Sequence, residues 1–160
     1  MAGIDAVGTA PGSAASDAQA IDASIVDRLA RADLRYTAGR RAIVSGIRAA
    51  SGPVTLPELL DLVPDLATSS TYRNLSLLET AGVVRRLVTS DDHSRYELAE
   101  SLTEHHHHLV CQKCGLVRDV TLADPLESAL DAAFDEVAAR EGFTLASHAI
   151  DIYGLCPDCA

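Results

Sequence analysis

The stretch LATSSTYRNLSLLETAGVVRRLVTSDDHSRYEL, residues 66–98, decides the fold of the N-terminal half. Apolar residues recur at helical spacing in its first part, and Gly82 suits the end of that helix. Residues 83–89 and 95–98 have the composition of two strands, and the segment between them is rich in turn-forming residues. The stretch therefore predicts a helix followed by a β-hairpin.

Further helices are predicted upstream of this stretch. Residues 21–31 have amphipathic spacing, and Thr37 is a candidate N-cap for a helix that runs to about residue 50. Thr55 and Glu58 form a candidate capping box for a short third helix. Residues 1–20 are small and polar and are interrupted by glycine and proline, which predicts a flexible tail without a function of its own. Helices followed by a hairpin are the order of a winged helix-turn-helix.

The second half of the chain predicts a smaller unit of mixed helix and strand. Its expected elements are, in order, strands at 107–110 and 116–121, a helix at 124–141 and a strand at 143–153. The strands of such a small unit leave edges exposed, which favours pairing with a second copy of the chain.

The charge of the chain is distributed unevenly between its two halves. The formal net charge is −10 and the pI is near 4.8, which is unusual for a nucleic-acid binder. However, residues 28–98 hold ten of the 13 cationic residues and eight of the 23 acids, so this span has a net charge of +2 and the remainder −12. One half can therefore approach phosphate and the other cannot.

The composition also limits where the chain is expected to act. A hydrophobic content of 48% excludes wholesale disorder. No apolar run approaches the roughly 18 residues that span a bilayer, and the N-terminus has no basic region followed by an apolar one. The sequence predicts a cytoplasmic protein without a membrane partner.

All four cysteines occur in CxxC pairs, Cys111 with Cys114 and Cys156 with Cys159. Two such turns can place four thiolates around one Zn²⁺ in tetrahedral geometry. A redox-active CxxC of the thioredoxin type needs only one pair and would leave the other unexplained. The pairs therefore predict a structural zinc site, since four thiolates leave no coordination position open to substrate.

A run of four histidines, residues 105–108, lies just before the first CxxC. On a strand, alternate side chains face opposite ways, so His106 and His108 would face one metal and His105 and His107 another. The alternative is a solvated histidine-rich loop. Further candidate ligands elsewhere in the chain are His93, Glu97, Glu127 and His148. Such mixed nitrogen and oxygen ligands suit Zn²⁺, Fe²⁺, Ni²⁺ or Co²⁺ without identifying one.

With these elements in place, the chain resembles the ferric uptake regulator (Fur) family of metalloregulators over roughly residues 25–159. Residues 35–43, RYTAGRRAI, are similar to the opening motif R-x-T-x-Q-R-x-x-I, and residues 68–75, TSSTYRNL, to the recognition-helix motif that ends T-V-Y-R-x-L. Residues 95–98 and 105–115 match the hinge and metal segment, and His148 stands eight residues before Cys156, as it does in the family.

The resemblance implies an α+β fold with an N-terminal winged helix-turn-helix and a C-terminal α/β dimerisation domain. Together with the composition of the flexible tail at 1–20, it implies a winged-helix DNA-binding domain at 21–99, a hinge at 100–104 and a dimerisation and metal-binding domain at 105–160. The implied function is a metal-dependent transcriptional repressor, not an enzyme. Such a protein binds double-stranded operator DNA as a homodimer when its regulatory metal is bound and controls metal homeostasis genes.

The resemblance also assigns roles to individual residues. The structural Zn²⁺ is held by Cys111, Cys114, Cys156 and Cys159. The regulatory metal, Zn²⁺ or Fe²⁺ with Ni²⁺ and Mn²⁺ as further options, is expected at Glu97, His106, His108 and, as a candidate fourth ligand, His93. A second site is expected at His105, His107, Glu127 and His148. DNA is expected to contact Arg35, Arg40, Ser69, Ser70, Tyr72, Arg73 and Asn74.

Three alternatives to this reading remain open from the sequence. One is a zinc uptake regulator-like member of the same family. Another is a peroxide sensor on the same scaffold, in which bound Fe²⁺ oxidises a histidine ligand. A third, from a different class, is a zinc hydrolase that uses the histidine cluster, although the chain has no HExxH motif.

Overall fold

The computed structural model describes residues 13–88 and 93–160, with side chains from residue 18 onward. The first twelve residues of the predicted tail, and most of the predicted turn between the wing strands, lie outside the described residues. The elements follow in the order α1 Ser13–Arg31, α2 Ala38–Ala49, β1 Val54–Thr55, α3 Leu56–Leu62, α4 Thr68–Thr80, β2 Val84–Val88, β3 Ser94–Leu98, a 3-10 helix Glu100–Leu102, β4 His107–Cys111, β5 Val117–Val120, α5 Asp124–Arg140 and β6 Asp151–Gly154.

Helices α1 to α4 and the first sheet form a winged helix-turn-helix, which confirms the predicted N-terminal fold. The sheet has the order β1-β3-β2 and is antiparallel throughout. Apolar side chains from all four helices meet the sheet in one core, where Leu29, Ile43, Leu59 and Leu78 are fully buried. Burying a side chain of this size stabilises the fold by about 1.5–3 kcal/mol.

Two predicted helix caps are present. The Thr37 hydroxyl accepts from the Arg40 backbone N–H at the start of α2. Thr55 and Glu58 form the reciprocal capping box at the start of α3: the Thr55 backbone N–H donates to Glu58 Oε2 over 2.7 Å, and the Glu58 N–H donates to Thr55 Oγ1. These caps satisfy donors that a helix end otherwise leaves unpaired.

Helix α1 begins at Ser13, eight residues before the start predicted from the apolar spacing. The predicted flexible tail is therefore helical over residues 13–20. Alanine occupies four of these eight positions, and it has the highest helix propensity of any residue. The alanine content therefore favours a helix over residues 13–20, where the apolar spacing does not predict one.

The second sheet has β4 at its centre, with the order β5-β4-β6. Strands β4 and β5 are antiparallel and are joined by the first CxxC turn. Strand β6, which follows α5 in the chain, pairs with the other edge of β4 in parallel. The strand predicted over 143–153 was wrong in extent, since only Asp151–Gly154 is a strand. Residues 143–150 alternate in sequence but have no partner strand among the described residues, and alternation alone cannot supply the ladder hydrogen bonds.

The 3-10 helix joins the two sheets. Its Leu102 side chain is buried in the N-terminal core, so the first three residues of the predicted hinge pack with the winged helix. The two halves of the chain also meet at Gly52, between α2 and β1. Gly52 lies directly against the backbone of β5, so close that an added Cβ would be 2.9 Å from Val117 O. Among the described residues, none of the helices combines the length and apolarity needed to cross a membrane.

Candidate metal centres and DNA interface

The two CxxC turns come together at one end of the second sheet. The thiols of Cys111, Cys114, Cys156 and Cys159 are all free, and their sulfurs lie within 4.8 Å of one another. Cys111 ends β4 and Cys156 follows β6, so the parallel pairing of these strands brings the two turns together. The Sγ atoms of Cys114 and Cys156 are 3.7 Å apart. Tetrahedral zinc with Zn–S bonds of about 2.3 Å requires an S···S separation of about 3.8 Å, so the cluster fits this ion.

The protonation chemistry of the cluster also favours a cation. Backbone hydrogen bonds from Cys156 and Cys114 lower the pKa of the Cys111 thiol to about 6. Hydrogen bonds to the Cys156 and Cys114 sulfurs raise the pKa of Cys159 to about 12. The four sulfurs therefore cannot all be thiolates at neutral pH unless a divalent cation compensates their charge.

A second cluster lies at the joint between the two sheets and is formed by Glu97, His106, His108 and Asp119. Glu97 is on β3 of the winged helix, whereas the histidines are in and just before β4 and Asp119 is on β5. Glu97 Oε2 lies 3.0 Å from His108 Nε2 and 3.5 Å from His106 Nε2. Ligands from both halves of the chain therefore converge on one point, which we call the joint site.

Glu97 is buried and is held by charged groups on both sides. Its Oε1 accepts from Arg85 on the neighbouring strand β2, with Nε at 2.6 Å and Nη2 at 2.5 Å. Its Oε2 faces the two histidines. Burial alone would raise the pKa of Glu97, but the hydrogen bond from His108 and the charge of Arg85 outweigh it, so this pKa lies below its ordinary value. The carboxylate is therefore ionised, with Oε1 held by Arg85 and Oε2 directed into the joint site.

The structure does not bring His93 into the joint site, and Asp119 stands there instead. His93 is exposed and lies four residues before Glu97, which on an extended chain is a distance of about 13 Å. Asp119 lies directly opposite His108 in the β4–β5 ladder, and its Oδ1 is 3.8 Å from His108 Nε2. The short CxxC connection and the ladder register were the signal that could have identified it.

The third cluster contains the residues predicted for the second site, His105, His107, Glu127 and His148. Glu127 Oε1 lies 3.1 Å from His105 Nε2 and 2.9 Å from His148 Nε2, yet this buried oxygen has no hydrogen bond among the described residues. The imidazole nitrogens and this oxygen therefore point toward one another without a donor for Glu127 Oε1. A metal cation between them would satisfy that buried acceptor. We call this cluster the helix site, because Glu127 belongs to α5.

Outer hydrogen bonds hold most of these histidines with Nε2 directed into a site. His108 Nδ1 lies 3.1 Å from Asp151, His148 Nδ1 lies 3.2 Å from Asp131, and His105 Nδ1 lies 2.5 Å from Glu100. His106 Nδ1 is paired with the Glu104 carbonyl. A ring whose Nδ1–H is held by an acceptor has its Nε2 lone pair free, which is the tautomer that binds metal through Nε2. None of these three carboxylates was predicted from the sequence.

The sequence that forms these clusters matches a known family. The sequence model of the ferric uptake regulator family matches residues 31–153, which is most of the chain. The chain belongs to the ferric uptake regulator family.

Relatives in this family are similar over long stretches. The chain is 37% identical to the ferric uptake regulation protein of Legionella pneumophila over 101 residues, which cover 63% of this chain and 69% of that one. It is 32% identical to the transcriptional regulator FurA of Mycobacterium tuberculosis over 137 residues, 84% of this chain and 88% of that one.

The fold is also similar to solved members of the Fur family. The structure of the Helicobacter pylori ferric uptake regulator, described as having three functional metal binding sites, is 26% identical. It aligns with a TM-score of 0.68 over 88% of this chain and 92% of that chain. The Vibrio cholerae ferric uptake regulator is 28% identical and aligns with a TM-score of 0.63 over 80% and 96% of the two chains.

The helix that corresponds to the Fur recognition motif is α4, and its outer face is open. Tyr72 is 59% exposed, and Ser69, Ser70 and Arg73 are also exposed. Leu75 and Leu78 hold the opposite face in the core, so α4 is fixed with these polar side chains directed outward. This is the arrangement of a helix that can enter a major groove.

Arg40 was predicted to contact DNA, but the structure buries most of its side chain. Arg40 is only 8% exposed, because α2 packs against α4 at this point. Its Nε donates to Asn74 Oδ1 over 3.1 Å and its Nη1 to the Arg35 carbonyl. The predicted DNA contacts Arg40 and Asn74 therefore bond to each other, and Arg35 keeps an exposed side chain.

Proposed function

We propose that this chain is a metal-dependent transcriptional repressor that binds operator DNA as a homodimer when Zn²⁺ or Fe²⁺ occupies the joint site. The observation that carries the proposal is the composition of that site. Glu97 belongs to the winged helix, whereas His106, His108 and Asp119 belong to the second sheet and the segment just before it. A cation that binds all four ligands fixes one half of the chain relative to the other.

The physical consequence is a shift in population. A metal that binds only one arrangement of the two halves stabilises that arrangement in proportion to its affinity. In a homodimer the same constraint sets the distance between two recognition helices, and two half-sites on DNA require a fixed distance. Because coupling between sites is reciprocal, operator DNA is expected to tighten metal binding by the same factor.

The DNA-binding surface that we propose consists of the outer face of α4 and the nearby arginines. Tyr72 and Arg73 are exposed where base edges would lie, with Ser69 and Ser70 beside them and Arg35 placed toward phosphate. The +2 charge of residues 28–98 against −12 elsewhere directs this half of the chain to DNA.

The homodimer that we propose forms through the C-terminal region. Helix α5 has no buried residue, and large apolar side chains lie exposed along it and beyond it, including Leu126, Val137, Phe143 and Tyr153. Strand β6 is an edge strand of its sheet, and residues 143–150 next to it alternate without a partner. A second copy of the chain would cover the apolar side chains and supply the missing strand pairing.

The three clusters divide the metal chemistry between them. The four-cysteine cluster would hold Zn²⁺ permanently, since it offers no open position and ties the C-terminus to β4. The joint site would bind the regulatory cation. The positive charge of that cation would hold the ligands from both halves of the chain together. The helix site would hold a further cation within the C-terminal region. Solved relatives include a zinc-bound manganese uptake regulator with 26% identity and a TM-score of 0.59.

The decisive experiment titrates Zn²⁺, Fe²⁺, Ni²⁺ and Mn²⁺ into protein that retains only the cysteine-bound zinc, while binding to its own promoter DNA is measured. One or more of these metals should tighten binding to a palindromic site. If none of them changes the affinity for DNA, the repressor proposal fails.

A variant pair locates the effect. His106→Ala should keep one zinc per chain and lose the metal dependence of DNA binding, whereas Cys159→Ser should lose the zinc and the C-terminal fold. Loss of the cysteine-bound zinc from His106→Ala would show that the two sites had been confused. Peroxide-responsive repressors are among the relatives, for example PerR of Staphylococcus saprophyticus at 28% identity over 79% of this chain, whereas the hydrolase alternative does not fit a family of transcriptional regulators.

A further inference from the structure

Glu100 connects the helix site to the winged helix. Its Oε1 lies 2.5 Å from His105 Nδ1, while the opposite nitrogen of the same ring, Nε2, lies 3.1 Å from Glu127 Oε1 and 3.3 Å from His148 Nε2. His105 therefore has one edge in the helix site and the other edge against Glu100. Glu100 itself is not one of the four residues of that site.

Glu100 is anchored to the N-terminal half of the chain. It begins the 3-10 helix, and Leu102 in the same turn is buried in the winged-helix core. The Ala99 backbone N–H donates to the Val83 carbonyl, and the next residue, Ser101, accepts from Arg28 Nη2 over 2.9 Å. Contacts on both sides of Glu100 thus fix its backbone to the winged helix.

We propose that Glu100 is a positioning residue through which metal in the helix site acts on the winged helix. The inference rests on the proposed occupation of the helix site by a cation. All four ligands of that site lie beyond residue 104, and among the described residues the contact between His105 and Glu100 joins one of these ligands directly to a side chain anchored in the winged helix.

The chemistry of imidazole explains how the cation would act. Metal on Nε2 requires the tautomer that carries its proton on Nδ1, and it makes that N–H a stronger donor. A carboxylate that accepts from such a donor forms a charge-assisted hydrogen bond, which is about twice as strong as a neutral one. Filling the helix site therefore strengthens the contact that holds residues 103–106 against the winged helix.

Asp131 provides a matched control within the same site. Its Oδ1 lies 3.2 Å from His148 Nδ1, so it is the outer partner of His148 as Glu100 is the outer partner of His105. Unlike Glu100, however, Asp131 lies on α5 in the C-terminal half. Loss of either carboxylate should weaken metal binding at the helix site by the roughly 10- to 100-fold that outer ligand partners contribute. Only the loss of Glu100 should disconnect the site from the winged helix.

The test is a double-mutant cycle on the full-length chain. DNA affinity is measured at saturating Zn²⁺ for wild type, Glu100→Gln and Asp131→Asn, each with and without His148→Ala, which removes a ligand of the helix site. In wild type, His148→Ala should weaken DNA binding at least about fivefold, the lower end of ordinary coupling between sites. In Glu100→Gln, whose side-chain carbonyl still accepts but carries no charge, the effect should be clearly smaller than in wild type, and in Asp131→Asn it should equal that in wild type.

The outcomes separate the inference from the proposal on which it rests. Chelator competition with Zn²⁺ counts the metals bound by wild type, and a chain that binds none beyond the cysteine and joint sites would defeat the helix site itself. If the helix site binds metal and His148→Ala weakens DNA binding equally in the Glu100→Gln and wild-type backgrounds, the role of Glu100 is refuted. Thermal unfolding without added metal should be the same for Glu100→Gln and Asp131→Asn, because neither side chain belongs to the core.

Discussion

Replacing Gly52 with alanine should weaken metal binding at the joint site while the chain remains folded. Gly52 lies against the backbone of β5, where a Cβ would stand 2.9 Å from Val117 O, 3.3 Å from Arg118 Cα and 3.4 Å from Asp119 N. All three are backbone atoms, which cannot turn aside as the end of a side chain can. The methyl group must therefore displace β5, which carries Asp119, from the winged helix, which carries Glu97.

The magnitude follows from the size of the conflict. Adding a methyl group to a closely packed contact costs about 1–3 kcal/mol. Here the cost falls on the arrangement in which Glu97 and Asp119 share one site. If the metal binds only that arrangement, its apparent affinity should fall by the same free energy, which is about 5- to 150-fold. The folding of each half should change less, since the two halves can separate slightly to relieve the contact.

The assay is a competition titration of Zn²⁺ against a chelator, on protein with the cysteine site already filled. Gly39→Ala is the control, because a Cβ at Gly39 has nothing within 4 Å and the residue lies in α2, where alanine favours the helix. That variant should bind metal as wild type does. A Gly52→Ala protein that is folded and binds the joint-site metal within twofold of wild type would refute the argument that this contact closes the site.

Three further predictions concern the ligands, the core and a helix cap. Asp119→Ala should lower joint-site affinity for Zn²⁺ about tenfold or more, and His93→Ala should leave it unchanged; equal effects in the same titration would contradict the ligand set. Leu78→Ala removes a fully buried side chain and should cost about 2–5 kcal/mol in urea unfolding, so a loss below about 1 kcal/mol would argue against this core. Burial would raise the pKa of Glu58, but hydrogen bonds from Thr55 lower it below its ordinary 4.5, so its stabilising effect is present above that pH and lost as the pH falls through the lower folded value. Thr55→Ala should therefore show a shallower loss of stability on acidification, and an unchanged acid profile would mean that the cap is not coupled to this titration.

Short motifs were the part of the site that the sequence predicted well. The two CxxC turns and the alternation of residues 105–108 each fix geometry over a few residues, because a tight turn or a strand leaves little freedom. The structure places both pairs of histidines on opposite sides as the alternation requires. Asp119 was missed because its position depends on the register between strands β4 and β5. The carboxylates Glu100 and Asp131 were missed because their positions depend on how the two halves of the chain, and helix α5, pack together.

The fold shows the same division between local and distant information. Caps at Thr37 and Thr55 were predicted from a few neighbouring residues and are present. The strand predicted over 143–153 failed along most of its length, since a strand needs a partner and the alternation of residues 143–150 does not name one. The start of α1 was missed because alanine favours a helix without marking which face is buried.

Strand β4 and the two residues before it supply ligands to all three clusters, from His105 to Cys111. The side chain of Leu109, which is 44% exposed, can vary, but the length of this segment cannot. Inserting or deleting one residue between His108 and Cys111 would turn every histidine to the opposite face relative to the cysteine turn, so that the joint site and the helix site would exchange ligands. Natural or engineered variants of the chain should therefore tolerate substitution at Leu109 and exclude insertions and deletions between His108 and Cys111.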